Sequence, residues 1–283
     1  RNLFFNNKLL IINKNKNLVY LSYNLDYETS NNKYEQEQAS YLYGSIDQNK
    51  SKIDDHYKFR SLKNRFSIHT KTKFFDELSF GYINYNYNFF QVGETLEKIS
   101  GENSNLIHAK LFKKFENTKI QFNIHQKING ERVGNNFNLS LESIVKNKFK
   151  FKLNLNALQS HPGLIYDIYQ SDYSGISFNT SHKLSDIKSI SIKLDYENIG
   201  NLNINYSNII NHFYLTVDDS QQSKLKPFVN QHDGKINYLK IRYNREFKFG
   251  IFSLDNSIIF QNVTQSQEII NLPKLLIRNT LYI

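Results

Sequence analysis

Apolar and polar residues alternate along most of this chain with a period of two. In Phe149-Lys150-Phe151-Lys152-Leu153-Asn154-Leu155-Asn156 every odd position is apolar and every even one polar. An extended backbone therefore carries one greasy and one wet face, whereas a helix would scatter the same residues around its axis. The alternation recurs in Ile190 to Tyr196, Leu202 to Tyr206, Ile83 to Phe89, Phe137 to Leu141 and Phe247 to Ile251. It is weaker in Val19 to Tyr27, Ile120 to Ile124 and Phe213 to Val217. Short polar turns separate the runs, such as Asn129-Gly130-Glu131, Asp218-Asp219-Ser220 and His232-Asp233-Gly234, which favours antiparallel hairpins over crossover units. Roughly fourteen strands fit if each takes about ten residues plus a connection. No stretch of comparable length carries helical periodicity.

Two properties point from these strands to a membrane barrel. Leu78 to Phe90 looks extended throughout, against the roughly 5–6 residues usual for a globular strand, and its alternation slips one register near Ile83, predicting a bulge there. The polar face is made of Asn, Lys and Ser, which suit a water-filled lumen while the apolar face meets lipid. A sheet with open edges could not sit in hydrocarbon, because each unpaired backbone group would cost several kcal/mol, so closure belongs to the reading. Tyr82, Phe89, Phe90, Tyr166, Tyr169, Tyr173, Tyr238 and Tyr243 flank the runs as candidate interfacial girdles; in a soluble fold they would be core or surface aromatics. The longest apolar run, Leu9-Leu10-Ile11-Ile12, falls far short of the roughly 20 residues of a transmembrane helix. The expected class is all-β, a transmembrane antiparallel up-and-down β-barrel. Residues 1–283 are read as one barrel domain, an incomplete fragment truncated at both ends, in a bacterial outer membrane.

Composition narrows the partners. With 283 residues, 14% aromatics and a mean hydropathy of -0.57, the chain is polar yet rich in strand formers, which excludes disorder. There is no cysteine and the chain starts at Arg1 rather than Met, so disulfides and thiolate metal sites are excluded. The net charge of +10 raises nucleic acid as a partner, but Lys and Arg are scattered and Lys113-Lys114 is the one adjacent basic pair. Phosphate binding needs a clustered footprint, so no nucleic-acid role is expected. Eight histidines lie far apart, with no metal-ligand spacing. Asp54-Asp55-His56 and Asp218-Asp219, the densest acidic spots, read as solvated loops. No catalytic or nucleotide-binding motif is present, so the chain reads as a non-enzyme without cofactors. The partners expected are outer-membrane lipid and small polar solutes; the oligomeric state stays open. On the lumen reading Lys150, Lys152, Asn154, Asn156, Ser191, Lys193 and Asp195 line the pore, and the cationic excess favours anions.

Near the C-terminus, Leu254-Asp255-Asn256-Ser257-Ile258-Ile259-Phe260-Gln261 is followed by Leu272-Pro273-Lys274-Leu275-Leu276-Ile277-Arg278-Asn279-Thr280-Leu281-Tyr282. This pair resembles a late barrel segment of the putative porin family of Bacteroidetes-type bacteria, and Tyr169 to Asn179 is a looser second match. The resemblance implies a Gram-negative outer-membrane barrel that passes small solutes by diffusion, with further strands beyond Ile283 and a terminal aromatic that this chain lacks. Two alternatives stay open. One is the barrel of a substrate-specific outer-membrane transporter, which normally carries a plug domain. The other is a soluble or surface-attached all-β module that binds glycans or protein.

Overall fold

In the computed structural model the alternating runs are the strands of one antiparallel sheet. The structure describes residues 2–14, 17–37, 51–92, 96–145, 148–173, 176–197, 199–218 and 226–283. The strands are β1 (Asn2–Lys14), β2 (Asn17–Gln36), β3 (Ile53–Lys71), β4 (Glu77–Val92), β5 (Leu96–Lys114), β6 (Thr118–Asn129), β7 (Val133–Val145) and β8 (Phe149–Ser160). Next come a helical turn α1 (Leu164–Asp167) and two short strands, β9 (Ile168–Gln170) and β10 (Ser177–Asn179). The sheet resumes with β11 (Ser185–Tyr196), β12 (Gly200–Asp218), β13 (Lys226–Phe249), β14 (Phe252–Thr264) and β15 (Leu275–Tyr282). Among the described residues thirteen strands form the sheet, each beside its neighbour in sequence once residues 161–184 are set aside, while β9 and β10 pair only with each other. This is the up-and-down order expected from short connections. Among the described residues β1 pairs with β2 alone and β15 with β14 alone.

The two faces of the sheet invert the usual rule of burial. On β3 and β4, Phe66, Ile68, Phe80 and Tyr82 are 43–57% exposed, whereas Ser67 and Ser79, on the opposite face, are 1% and 2% exposed. Large apolar groups at the surface and small polar groups inside are what a lipid-facing wall requires. The outer apolar surface continues from strand to strand, because the register sets Phe66 beside Tyr82, Phe122 beside Leu139 and Leu155 beside Ile190. Tyrosines bound this belt. Tyr82 donates its hydroxyl to Asn105 and Tyr206 donates to Asn237 at 2.9 Å. Their rings thus stay with the apolar rows while their hydroxyls reach a polar rim.

The slip of alternation at Ile83 is not a bulge. Pairing runs unbroken through Arg65–Ile83 and Ile83–Leu106, and the irregularity in β4 lies later, between Phe89 and Phe90. What changes at Ile83 is the environment. Below it Leu78, Phe80 and Tyr82 point outward; above it Asn84, Asn86 and Asn88 take the outer positions, and Ile83, Tyr85, Tyr87 and Phe89 turn inward. The same exchange occurs on β11, where Ile190 is exposed outside and Ile187 lies in an inner row with Leu158, Ile209 and the fully buried Ile236. Two further expectations are corrected. His232-Asp233-Gly234 lies inside β13, where Asn211, the one described non-glycine residue with positive φ (57°), makes a bulge in facing β12. Asp54-Asp55-His56 lies inside β3 and not in a solvated loop. The turn read at Asp218-Asp219-Ser220 falls largely outside the described residues.

Candidate functional site

One row of the register defines the inner face. Ser67 faces Gly81, Gly81 faces His108, His108 faces His125 and His125 faces Asn136. Two residues on, Asn138 faces Asn156, Asn156 faces Ser189 and Ser189 faces Ser207. Side chains alternate strictly along a strand, so Lys150, Lys152, Asn154 and Asn156 share this face with Ser191, Lys193 and Asp195. The register brings them into direct pairs: Lys150 opposite Asp195, Lys152 opposite Lys193, Asn154 opposite Ser191. Like charges directly opposite are unfavourable in a sheet; Glu142 lies across from Lys152 on β7 and is engaged by Lys119 at 3.4 Å. The row runs on through Asn203 to Arg242, a cation that sequence reasoning did not single out because the pattern around it is less regular. Below, Asp195, Asn201, Asn244, Glu246, Lys248 and Asp255 line a cavity of about 520 Å³.

The described residues of the connection 161–184 fold onto this inner face instead of extending away from it. Apolar packing supplies the area: Leu164 sits in a cluster with Tyr57, Tyr87 and Phe89, and Tyr173 and Ile176 pack with Ile53. Polar contacts supply the register. The buried Asp55 carboxylate accepts hydrogen bonds from the Tyr169 hydroxyl (2.6 Å), the Ser171 hydroxyl (2.6 Å) and the Asp172 amide (2.7 Å). The Gln170 amide donates to the Tyr57 hydroxyl at 2.7 Å, and that hydroxyl donates to the Gln170 carbonyl. Desolvation, then the Asp55 contact, pushes the Tyr169 hydroxyl well above its ordinary pKa, so it remains a donor at any physiological pH.

A second anchor is centred on Asp167, which is fully buried. His161 Nε2 lies 2.9 Å from one of its oxygens, His182 Nδ1 lies 2.7 Å from the other, and Arg132 reaches in from the connection between β6 and β7. The Gly163 amide donates to His161 Nδ1 at 3.2 Å, which leaves Nε2 as the nitrogen that donates to Asp167. Burial alone would raise the Asp167 pKa, but the histidine hydrogen bonds and the Arg132 charge outweigh it and hold the carboxyl below its usual range. Sequence spacing could not reveal this cluster, because Arg132 comes from one connection and His161, Asp167 and His182 from another, spread over more than twenty residues.

The candidate girdle aromatics divide between the faces. Tyr82, Tyr243 and Phe90 lie outside, Phe90 beneath the Arg60 guanidinium at 4.9 Å. Phe89 and Tyr173 are buried inside, Tyr169 anchors the folded-in segment, Tyr166 packs on Phe213, and Tyr238 donates to the buried Gln261 at 2.6 Å. These inner aromatics cover protein rather than lipid, because the wall extends beyond the belt.

A family model described as "Putative porin" matches residues 3–283. No curated protein matches the chain in sequence. Among solved structures, the siderophore receptor PirA from Pseudomonas aeruginosa aligns with a TM-score of 0.52 at 8% identity, covering 93% of this chain and 57% of the receptor. The copper transporter OprC aligns with a TM-score of 0.58 at 10% identity, covering 99% of this chain and 49% of the transporter. The chain thus spans about half the length of the barrels it matches, and the likeness to them is one of fold.

Proposed function

The chain belongs to the putative porin family of outer-membrane barrels, and from that premise we propose that its inner face lines a channel for passive diffusion of small polar solutes. Lys150, Lys152, Asn154, Asn156, Ser191, Lys193 and Asp195 form part of the wall, and residues 161–184 narrow the passage. The observation that carries this reading is the inverted burial: exposed Phe66, Ile68, Phe80 and Tyr82 outside against a wet, charged inner surface. Lys152, Lys193 and Arg242 in one row, against Glu142, favour anions over cations. The C-terminal resemblance supports a Bacteroidetes-type Gram-negative source. The protein acts as a conduit, without chemical turnover. Planar-bilayer recordings of the refolded full-length protein test the reading: steady conductance is expected, with a reversal potential shifted toward the anion. Absence of conductance, or a marked cation preference, would overturn it.

A further inference from the structure

The inner face of β2 to β6 holds a recess of about 360 Å³ that the folded-in segment does not enter, within the range of small-molecule sites. Arg65 on β3 reaches into it between Asn24 on β2 and His108 on β5. Among the described residues Arg65 makes no hydrogen bond or ion pair, and its Nε is closed off from solvent. A guanidinium carries five donors and a permanent charge, so a half-buried one without an acceptor is costly until an acceptor arrives.

The surroundings fit an anion and reject a metal. Glu77, the one carboxylate lining the recess among the described residues, is engaged by Lys110 at 2.7 Å. His108, His125, Asn123 and Gln121 add further donors. His108 is positioned by an absence: a Cβ on Gly81 would lie 2.6 Å from its Nε2, so glycine is what lets the ring cross β4 and meet the Ser67 hydroxyl at 2.9 Å. That contact occupies one ring nitrogen, and Arg65 and Lys110 repel a cation.

We propose that Arg65, with His108, Asn123 and Lys110 around it, is a binding station for a small oxyanion. It rests on the channel reading in one respect, that solutes reach the inner face. The test is calorimetric titration of the detergent-solubilised full-length protein with inorganic phosphate, with KCl conductance measured on the same preparations. Saturable binding is expected in the wild type. Arg65→Gln should weaken it about tenfold or more, the worth of a charged hydrogen bond, and His108→Gln should weaken it less. Lys188→Gln, on the outer face, should bind as the wild type does. Heat-modifiable migration on gels checks that each variant folds. Wild-type protein without saturable binding at millimolar phosphate, or Arg65→Gln binding undiminished, overturns the station. If conductance persists in that case the channel reading survives; binding without conductance would sink the channel reading alone.

Discussion

At its Glu77 end β4 turns Leu78, Phe80 and Tyr82 outward over Ser79 and Gly81; toward Val92 it turns Asn84, Asn86 and Asn88 outward over Ile83, Tyr87 and Phe89. Hydrogen bonding to β3 is continuous across the two halves. Backbone geometry is therefore not what distinguishes them. On the channel reading the lower half has lipid outside and water within. The upper half has water outside and, within, a protein segment that needs apolar contact. A strand's alternation says that its faces differ, and only the neighbours of each face say which is the inside.

Charging the outer face separates the halves most sharply. Phe80→Lys should cost about 3 kcal/mol of barrel stability, as cations on a lipid face near the midplane do, read as urea-induced unfolding from lipid vesicles. Asn86→Lys, outside on the same strand, should stay within about 0.5 kcal/mol. Equal losses would show that the upper half also lies in lipid.

Loosening the inner contact should act on the upper half alone. Asp55→Ala removes the acceptor for Tyr169, Ser171 and the Asp172 amide, and about 2 kcal/mol of docking should go with it. Protease should then cut within residues 161–184 and single-channel conductance should rise, with the barrel still heat-modifiable. Unchanged conductance would mean that the segment does not narrow the passage.

Acid should do the same more gently. The Asp167 carboxyl sits below its ordinary value near 3.8 in the folded state, through His161, His182 and Arg132. Its contribution is present above that value and lost as pH falls through the depressed folded one. Proteolytic protection of the segment, followed with an acid-active protease, should hold down to about pH 4 and decline below it. In Asp167→Asn this acid-dependent step should vanish.

The smallest expected effect is on selectivity. Lys152→Gln with Lys193→Gln removes two facing cations, so the reversal potential should move toward the cation side while stability stays within about 0.5 kcal/mol. No movement would assign selectivity to other parts of the wall.

Much of this architecture was legible in the sequence where strands are simple. β8 and β11 have their polar faces where Phe149 to Asn156 and Ile190 to Tyr196 predicted, since period two with short turns leaves one arrangement. Dividing the chain into units of about ten residues plus a connection gave roughly fourteen strands against thirteen among the described residues of the sheet, because strand lengths range from 8 to 24 residues and β9 and β10 stand apart from the sheet. Asp55 was misread as solvated, since an acidic pair beside a histidine resembles a loop unless its partners, more than a hundred residues away, are known. His232 to Gly234 imitated a turn because bulges use the same residues. The Arg65 recess left no linear trace: five strands contribute one to three positions each, and the glycine that shapes it counts as an interruption of the pattern.

The attachment of residues 161–184 also sets an order of assembly. Tyr169 lies 114 residues from its acceptor Asp55, whereas every pair in the sheet joins strands adjacent in the meander once that segment is left out. Closing so long a loop draws on chain entropy that local hairpins do not. The hairpins should therefore zip first, and the segment should settle onto its anchors last, leaving the inner face transiently more open in the newly inserted molecule.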